Sequence, residues 1–339
     1  MNRRAVLLGA AAGAGFAVAG CATMAVQQPL EPTEGFAGPR LEGETFISFD
    51  GAGLGLTRWM PAGPVKVALI ALHGMNDYAN AFHLAAPSWA GQGIATYAFD
   101  QRGFGRSPGR GIWAGEALIV EDIRTCVELV RAAHPGLPVV VAGESMGGAA
   151  AICAFASDRP PSADRLVLFA PAVWGWSTQA LPNKTLLWLT ARIAPGQVVE
   201  PPEWVATSVQ PSDNREELIA MGRDRLMIWG ARPDTVHGLV DLMESAWRRI
   251  DGVKVPVAYL YGANDEVIPK RPSFQAASGL KAGDVSAYYE RGYHLLLRDL
   301  QRDRVIADAA AFMLAGPGPL PSSPPPVPRA NGRPNRSAR

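Results

Sequence analysis

The chain has 339 residues, 48% of them hydrophobic, and its 32 basic side chains offset 31 acidic ones for a net charge of +1. That length and apolar content describe a globular protein with a sizeable core, arranged as one large or two small domains. The near-neutral balance argues against nucleic acid as a partner, since such proteins present a strongly basic face.

Met1-Asn2-Arg3-Arg4 opens the chain and is followed by uncharged residues 5–19, a basic start and an apolar run too short to span a bilayer comfortably. This reads as an export signal. It ends on Val18-Ala19-Gly20-Cys21, which resembles the cleavage box of bacterial lipoproteins. The resemblance implies that residues 1–21 are a signal peptide ending at a lipidated Cys21, with the mature protein held on a membrane of the cell envelope. Arg3-Arg4 before Val6-Leu7-Leu8 also resembles a twin-arginine signal. The alternative is an uncleaved helical anchor. Residues 22–40 contain proline and glycine and are expected to be a spacer that lets the folded part stand off the surface.

Residues 45–49 and 54–59 alternate apolar and polar side chains around Asp50-Gly51-Ala52-Gly53, a hairpin pattern. Residues 67–72 form a continuous apolar run, as in a strand buried on both faces, and lead into His73-Gly74-Met75-Asn76-Asp77. A helix over 79–91, kinked or restarted at Pro87, precedes a strand over 93–99 that ends on Asp100-Gln101-Arg102-Gly103-Phe104-Gly105-Arg106-Ser107. Leu118, Val120, Ile123, Val127 and Val130 recur at helical spacing through 114–133.

Next comes Val139-Val140-Val141-Ala142-Gly143-Glu144-Ser145-Met146-Gly147-Gly148, an apolar strand that breaks on a serine between glycines and turns helical. Glycine at 143 and 147 permits a sharp strand-to-helix turn with the Ser145 hydroxyl at its tip. Met146, first in the helix, offers an N–H with the positive end of the helix dipole behind it, suited to a developing oxyanion. A further strand covers 165–169. The alternation of strand and helix calls for a mostly parallel sheet covered on both sides, with ligands at the carboxyl ends of the strands, where Met75, Asp100 and Ser145 all lie.

The alternation stops over 172–252, which holds Trp174, Trp176, Trp188, Trp204, Trp229 and Trp247, six of the nine tryptophans. This insertion is expected to be a helical cap. Its tryptophans, with Leu186, Leu187, Met227 and Ile228, either line an acyl site or simply form the cap's own core. The pattern then resumes with a strand over 255–261 ending Gly262-Ala263-Asn264-Asp265, a helix over 273–279, a strand over 285–289 before Arg291-Gly292-Tyr293-His294, and a helix over 302–314. The folded domain is thus placed at 41–315. Residues 316–339, rich in proline with Arg329, Arg333, Arg336 and Arg339, are expected to be a disordered tail.

A serine hydroxyl becomes nucleophilic when an imidazole removes its proton, and a carboxylate holds that imidazole in the right tautomer. His294 and Asp265 are the candidates, since both follow strands on the edge that carries Ser145. His134 ends a helix, His83 lies in one, His237 falls in the cap, and His73 is placed to shape the loop that delivers the Met75 N–H. Among the acids, Glu266 is the close rival to Asp265, while Asp100 is expected to pin its loop through an ion pair beside Arg102. Cys126 and Cys153 lie in expected helices and do not make a disulfide framework. Without clustered His and Cys, no metal or organic cofactor is expected.

From about Thr45 to Leu314 the chain resembles the α/β-hydrolases of the monoacylglycerol lipase and lysophospholipase group, which overlaps the serine aminopeptidases. The matching pieces are His73-Gly74, the Asp100 to Ser107 loop, Gly143-Glu144-Ser145-Met146-Gly147-Gly148, Gly262-x-x-Asp265 and Gly292-x-His294. Many monoacylglycerol lipases carry Glu-His where this chain has Asp77-Tyr78. The resemblance implies the α/β-hydrolase fold and hydrolysis of a lipid ester through Ser145, His294 and Asp265. The N–H groups of Met75 and Met146 would hold the oxyanion. A small-ester esterase, an aminopeptidase or amidase with the same triad, and a non-catalytic envelope lipoprotein are the alternatives.

Overall fold

The computed structural model describes residues 23–200 and 209–332. Cys21, Trp204 and residues 333–339 lie outside the described residues.

Nine strands form one sheet: β1 (Arg40–Glu42), β2 (Thr45–Ile47), β3 (Gly53–Trp59), β4 (Val67–Leu72), β5 (Ile94–Phe99), β6 (Val139–Glu144), β7 (Arg165–Phe169), β8 (Val257–Gly262) and β9 (Val285–Tyr289). Their order across the sheet is β1-β2-β3-β5-β4-β6-β7-β8-β9. The first three strands and the β3–β5 pair run antiparallel, and every pair from β5 to β9 is parallel. All residues of β4, β5, β6 and β8 are buried, which is why those segments are continuous apolar runs with no alternation. The hairpin expected around Asp50 is present as β2 and β3; β1, only three residues long, gives no periodic signal.

Helices α1 (Ala86–Gly91), α2 (Glu116–Ala133), α3 (Met146–Phe155), α7 (Lys270–Ala277) and α8 (Arg302–Ala315) supply crossovers and cover. Pro87 marks a restart: a 3-10 turn at Ala79–Phe82 is followed by α1, with the proline in its first turn, where its missing N–H leaves no helical bond unmade. The insertion after β7 is helical where described, with α4 (Leu181–Ile193), α5 (Arg215–Arg223) and α6 (Pro233–Arg249). Its apolar residues divide between several roles. Trp247, Leu242 and Ala246 of α6 join the main core, and a Cβ on Gly238 would lie 2.2 Å from the Trp113 ring, so α6 packs directly on the body.

The structure corrects two expectations about the ends. Residues 23–30 do not stand off: Val26 pairs with Trp113, the Gln27 amide donates to the Ile112 carbonyl at 2.7 Å, and the Leu30 N–H donates to Asp50 at 2.8 Å. Nor is the start of the tail disordered. Residues 316–332 lie along the body, with Leu320 and Val327 buried and Ser322 hydrogen-bonded to Asp308. The composition held too few apolar residues to suggest a core of its own, but Leu320 and Val327 join the core of the body and hydrogen bonds to Asp308, Tyr288, Ser286 and Ser278 hold the proline-rich segment between and beyond them.

Candidate active site

β4 sits between β5 and β6, so the loops leaving β4 and β6 stand side by side at the carboxyl edge, where open α/β sheets bind ligands. Leu72 pairs with Gly143 in register, which brings the segment from His73 to Asp77 against Ser145. Ser145 has φ +51, a left-handed conformation that costs a non-glycine residue on the order of 1–3 kcal/mol and holds its side chain out at the turn. The glycines enforce this. A Cβ at Gly147 would meet the Leu72 carbonyl oxygen at 2.2 Å, and one at Gly143 the Gly147 backbone at 2.5 Å. The Ser145 N–H donates to the Phe169 carbonyl and its own carbonyl accepts from the Ala172 N–H, so both flanks of the turn are anchored.

On the next loops, the His294 Nδ1 donates to the Asp265 Oδ2 at 2.9 Å, with both side chains buried. The other Asp265 oxygen accepts from the N–H groups of Val267 and Ile268 at 2.8 and 2.9 Å, which fixes the carboxylate plane. Burial opposes a charged His294 ring, but the Asp265 charge, its hydrogen bond and the nearby Glu144 outweigh it and hold the imidazole above its ordinary value. With Nδ1 committed to Asp265, Nε2 is the nitrogen left for a serine proton. Glu266 is exposed and accepts from the Gln210 N–H, so it takes no part in this pair.

The remaining histidines are engaged elsewhere. The His73 Nε2 accepts from the Gln101 N–H at 2.8 Å and its Nδ1 donates to the Gly74 carbonyl at 2.7 Å, while burial keeps its ring below the ordinary imidazole value and neutral. It therefore braces the loop carrying Met75. His83 faces Glu217, His134 meets the Tyr97 hydroxyl, and His237 pairs with Asp241. Asp100 does pin its loop, but through Arg106 at 2.8 Å and the Ala79 N–H. Arg102 turns the other way, into a buried pairing with Asp50 and Asp122 that ties the loop to the hairpin and to α2.

A second buried cluster lies within the site itself, and the sequence reading did not find it. Arg298 donates to Asp77 at 2.7 Å and to Glu144 at 2.6 Å, and all three side chains are buried. Asp77 belongs to the loop after β4, Glu144 immediately precedes Ser145, and Arg298 lies four residues beyond His294. One guanidinium thus spans the three loops that build the site. Burial pushes the Glu144 carboxyl above its usual range, and the flanking carboxylates keep Arg298 charged against its own burial. The only local signal was an arginine after the apolar Leu295-Leu296-Leu297, since its partners are 221 and 154 residues away.

Ser145 and His294 open into one cavity of about 840 Å³. Its walls come from Met75 and Asn76 on one side and from cap residues on the other, among them Trp174, Leu186, Leu187, Met227, Leu239 and Met243. The cap therefore contributes apolar wall as well as core. Among the described residues, the cap positions lining the cavity include no carboxylate. No group of three or more His, Cys, Asp or Glu among the described residues is arranged to hold a metal ion.

Comparison with known proteins agrees with this architecture. A monoacylglycerol lipase of Mycolicibacterium smegmatis is 27% identical over 260 residues, covering 76% of this chain and 91% of that protein. A monoglyceride lipase of Homo sapiens is 27% identical over 259 residues, covering 75% and 84%. The crystal structure of a monoacylglycerol lipase from Paleococcus ferrophilus superposes with a TM-score of 0.64 at 21% identity, over 78% of this chain and 99% of that one. The model of the serine aminopeptidase S33 hydrolases matches residues 63–301, and with the nine-stranded sheet and its helical cap this chain belongs to that family of α/β-hydrolases.

Proposed function

We propose that the protein is a serine hydrolase that cleaves a lipid carboxylic ester, a monoacylglycerol or a lysophospholipid, through an acyl-enzyme. The observation that carries this reading is that Ser145 and His294, the latter hydrogen-bonded to Asp265 behind it, share one large, mainly apolar cavity. Ser145 Oγ attacks the ester carbonyl while His294 Nε2 takes its proton. The N–H groups of Met75 and Met146 receive the oxyanion, the second from the first turn of α3, where a helix has no carbonyl of its own to offer them. His294 then protonates the leaving alcohol, the ester C–O bond breaks, and water attacks the acyl-serine by the same route in reverse. Arg298 already engages Asp77 and Glu144, and the described cap wall offers no free acid. An amine-recognising peptidase site is therefore less well supported than an ester site.

Each methylene buried in such a cavity adds about 0.8 kcal/mol of binding, so kcat/KM should climb steeply from p-nitrophenyl acetate to longer acyl esters until the cavity is full. A maximum at acetate, or faster turnover of amino-acid amides than of monoacylglycerols, would replace the lipid-ester reading by the small-ester or aminopeptidase one.

We further propose that the chain is exported and held on a membrane of the cell envelope through lipidated Cys21, on the strength of its Val18-Ala19-Gly20-Cys21 box. Cys21→Ser should then move the protein from the membrane fraction to the soluble one. Retention through an uncleaved 5–19 segment would overturn the lipoprotein reading.

A further inference from the structure

The loop that carries Met75 is only weakly closed by its own turn. The Asp77 N–H reaches the Gly74 carbonyl at 3.4 Å, a long closing bond, and Asn76 sits between them at φ +66, a left-handed conformation that asparagine tolerates better than most side chains. Further restraints come from the cap. The Asn76 carbonyl accepts from the Ile228 N–H at 3.0 Å, and the Tyr78 hydroxyl donates to Asp224 at 2.6 Å across 146 residues. Burial and the bond to Asp224 push the Tyr78 hydroxyl well above its usual range, so it stays protonated and remains a donor. Asp77-Tyr78, which stands where many monoacylglycerol lipases carry Glu-His, is thereby divided between two partners, Asp77 on Arg298 and Tyr78 on the cap.

The cap segment that makes these bonds, residues 224–228 between α5 and α6, is itself tied down. The second Asp224 oxygen accepts from the Leu226 N–H at 2.8 Å, which folds the segment into a tight turn. From the body, the Arg110 guanidinium donates to three successive carbonyls, those of Arg225 at 2.9 Å, Leu226 at 3.0 Å and Met227 at 2.8 Å. A planar guanidinium presents its donors in a fixed fork, so three carbonyls bound to it cannot move independently. Arg110 in turn stands on a compact loop: Gly109 and Gly111 flank it at positive φ, and the Ile112 and Gly111 N–H groups close onto the Gly109 and Gly103 carbonyls at 2.8 Å. Arg110 is exposed, and neither it nor Tyr78 nor Asp224 lines the catalytic cavity. A residue at the surface therefore acts on the loop beside Ser145 through one turn of the cap.

We infer that residues 224–228 are a clamp that positions the oxyanion loop, with Arg110, Tyr78 and Asp224 as its positioning residues, so that the Met75 N–H is held on the developing oxyanion only while this turn of the cap is seated. The catalytic half rests on the serine-ester reading above; the mechanical half does not. An oxyanion donor removed outright costs on the order of 10²–10³ in turnover, and one loosened by a fraction of an ångström costs part of that. None of the three positioning side chains reaches the cavity, so none adds to ground-state contact with the substrate. The loss of any of them is expected in kcat and not in KM.

The test compares Arg110→Gln and Tyr78→Phe with the wild type. On p-nitrophenyl butyrate each should lower kcat by roughly tenfold and leave KM within about twofold. An alkyl trifluoromethyl ketone, whose carbonyl adds the Ser145 Oγ while His294 takes its proton, leaves an oxyanion and should lose affinity by the same factor. The matching trifluoromethyl carbinol, which forms no oxyanion, should bind as before. The double variant should lose little more than the worse single one, because both act through one turn. Amide exchange over residues 74–78, measured without substrate, reads the mechanical link, and Arg110→Gln should quicken it by roughly tenfold. Unchanged exchange overturns the inference, and so does a variant whose kcat is unaltered, whether or not KM rises; a rise in KM alone would make residues 224–228 a wall of the substrate site and nothing more. If Tyr78→Phe does not fold, Arg110→Gln, at an exposed position, decides alone. If ester turnover survives Ser145→Ala, the serine reading fails, and exchange still decides the clamp.

Discussion

Ser145→Ala is expected to leave the protein folded and to cut ester turnover by a factor on the order of 10⁴–10⁶, with fluorophosphonate labelling lost altogether. The folding half of this expectation follows from position: the side chain is half-buried at the tip of a turn whose geometry is enforced by Gly143 and Gly147 and by backbone bonds to Phe169 and Ala172. The activity half follows from its sharing a cavity with His294. Labelling that persists in the variant would show that another nucleophile does the chemistry. Asp265→Asn should lose activity on the order of 10³–10⁴-fold by presenting the wrong imidazole tautomer, and Glu266→Gln far less. With His294 as the proposed base, only its neutral ring can accept the serine proton, and since its neighbours hold the ring above the ordinary 6.5, kcat/KM on a soluble ester should rise with pH through a midpoint above that value. Glu144→Gln removes one of the negative charges responsible and should lower the midpoint. A midpoint that does not move would separate Glu144 from His294 electrostatically.

The second large effect is expected at Arg298. Replacing it by Met leaves Asp77 and Glu144 buried without their cation, and breaking a buried pair in this way costs about 3–5 kcal/mol. For a domain of this size that corresponds to a melting temperature lower by roughly 6–20 °C. The pH dependence has a definite sign. Glu144, already raised by burial in the wild type, is raised further once the guanidinium is gone. A carboxyl whose folded value is raised favours the folded state at pH below its unfolded value and loses that contribution as pH rises through the folded one. The deficit of Arg298→Met should therefore shrink on acidification. Adding Glu144→Gln should restore part of the stability at neutral pH, because it removes one of the two stranded charges. Thermal melts of the single and double variants from pH 5 to 8 read both outcomes. A deficit that is constant with pH would mean that the arginine acts through packing alone.

Much of the fold was legible because its signals are local. The strands buried on both faces are unbroken apolar runs, and the residues that end them, Ser145, Asp265 and His294, are brought to one edge by a parallel sheet whatever the details of packing. What escaped was held by partners far away in sequence. Arg102 sits two residues from Asp100, yet its bonds go to Asp50 and Asp122, across 52 and 20 residues, and Asp100 takes Arg106 instead. Sequence proximity ranks such pairs wrongly because a side chain on a tight loop points where the turn sends it, and Gly103 and Gly105, both at positive φ, reverse the direction between Arg102 and Arg106. Arg298 is the same case over a longer span. Residues 23–30 and 316–332 escaped for another reason: their composition reports how little they can bury, while they are held largely by hydrogen bonds to residues far away in sequence.

The carboxyl-terminal segment also settles how the sheet comes to an end. β9 is the last strand of the sheet, and a terminal strand offers its unpaired N–H and C=O groups to any other extended chain that comes past. Here the Tyr288 N–H is answered by the Pro325 carbonyl, and the Val327 N–H turns back onto the Ser286 hydroxyl. From Pro324 to Pro328 four of the five residues are proline, and a residue without an N–H cannot pass the ladder on. The segment occupies the β9 edge without becoming a tenth strand, so that edge is covered by a stretch of chain that adds no new edge of its own.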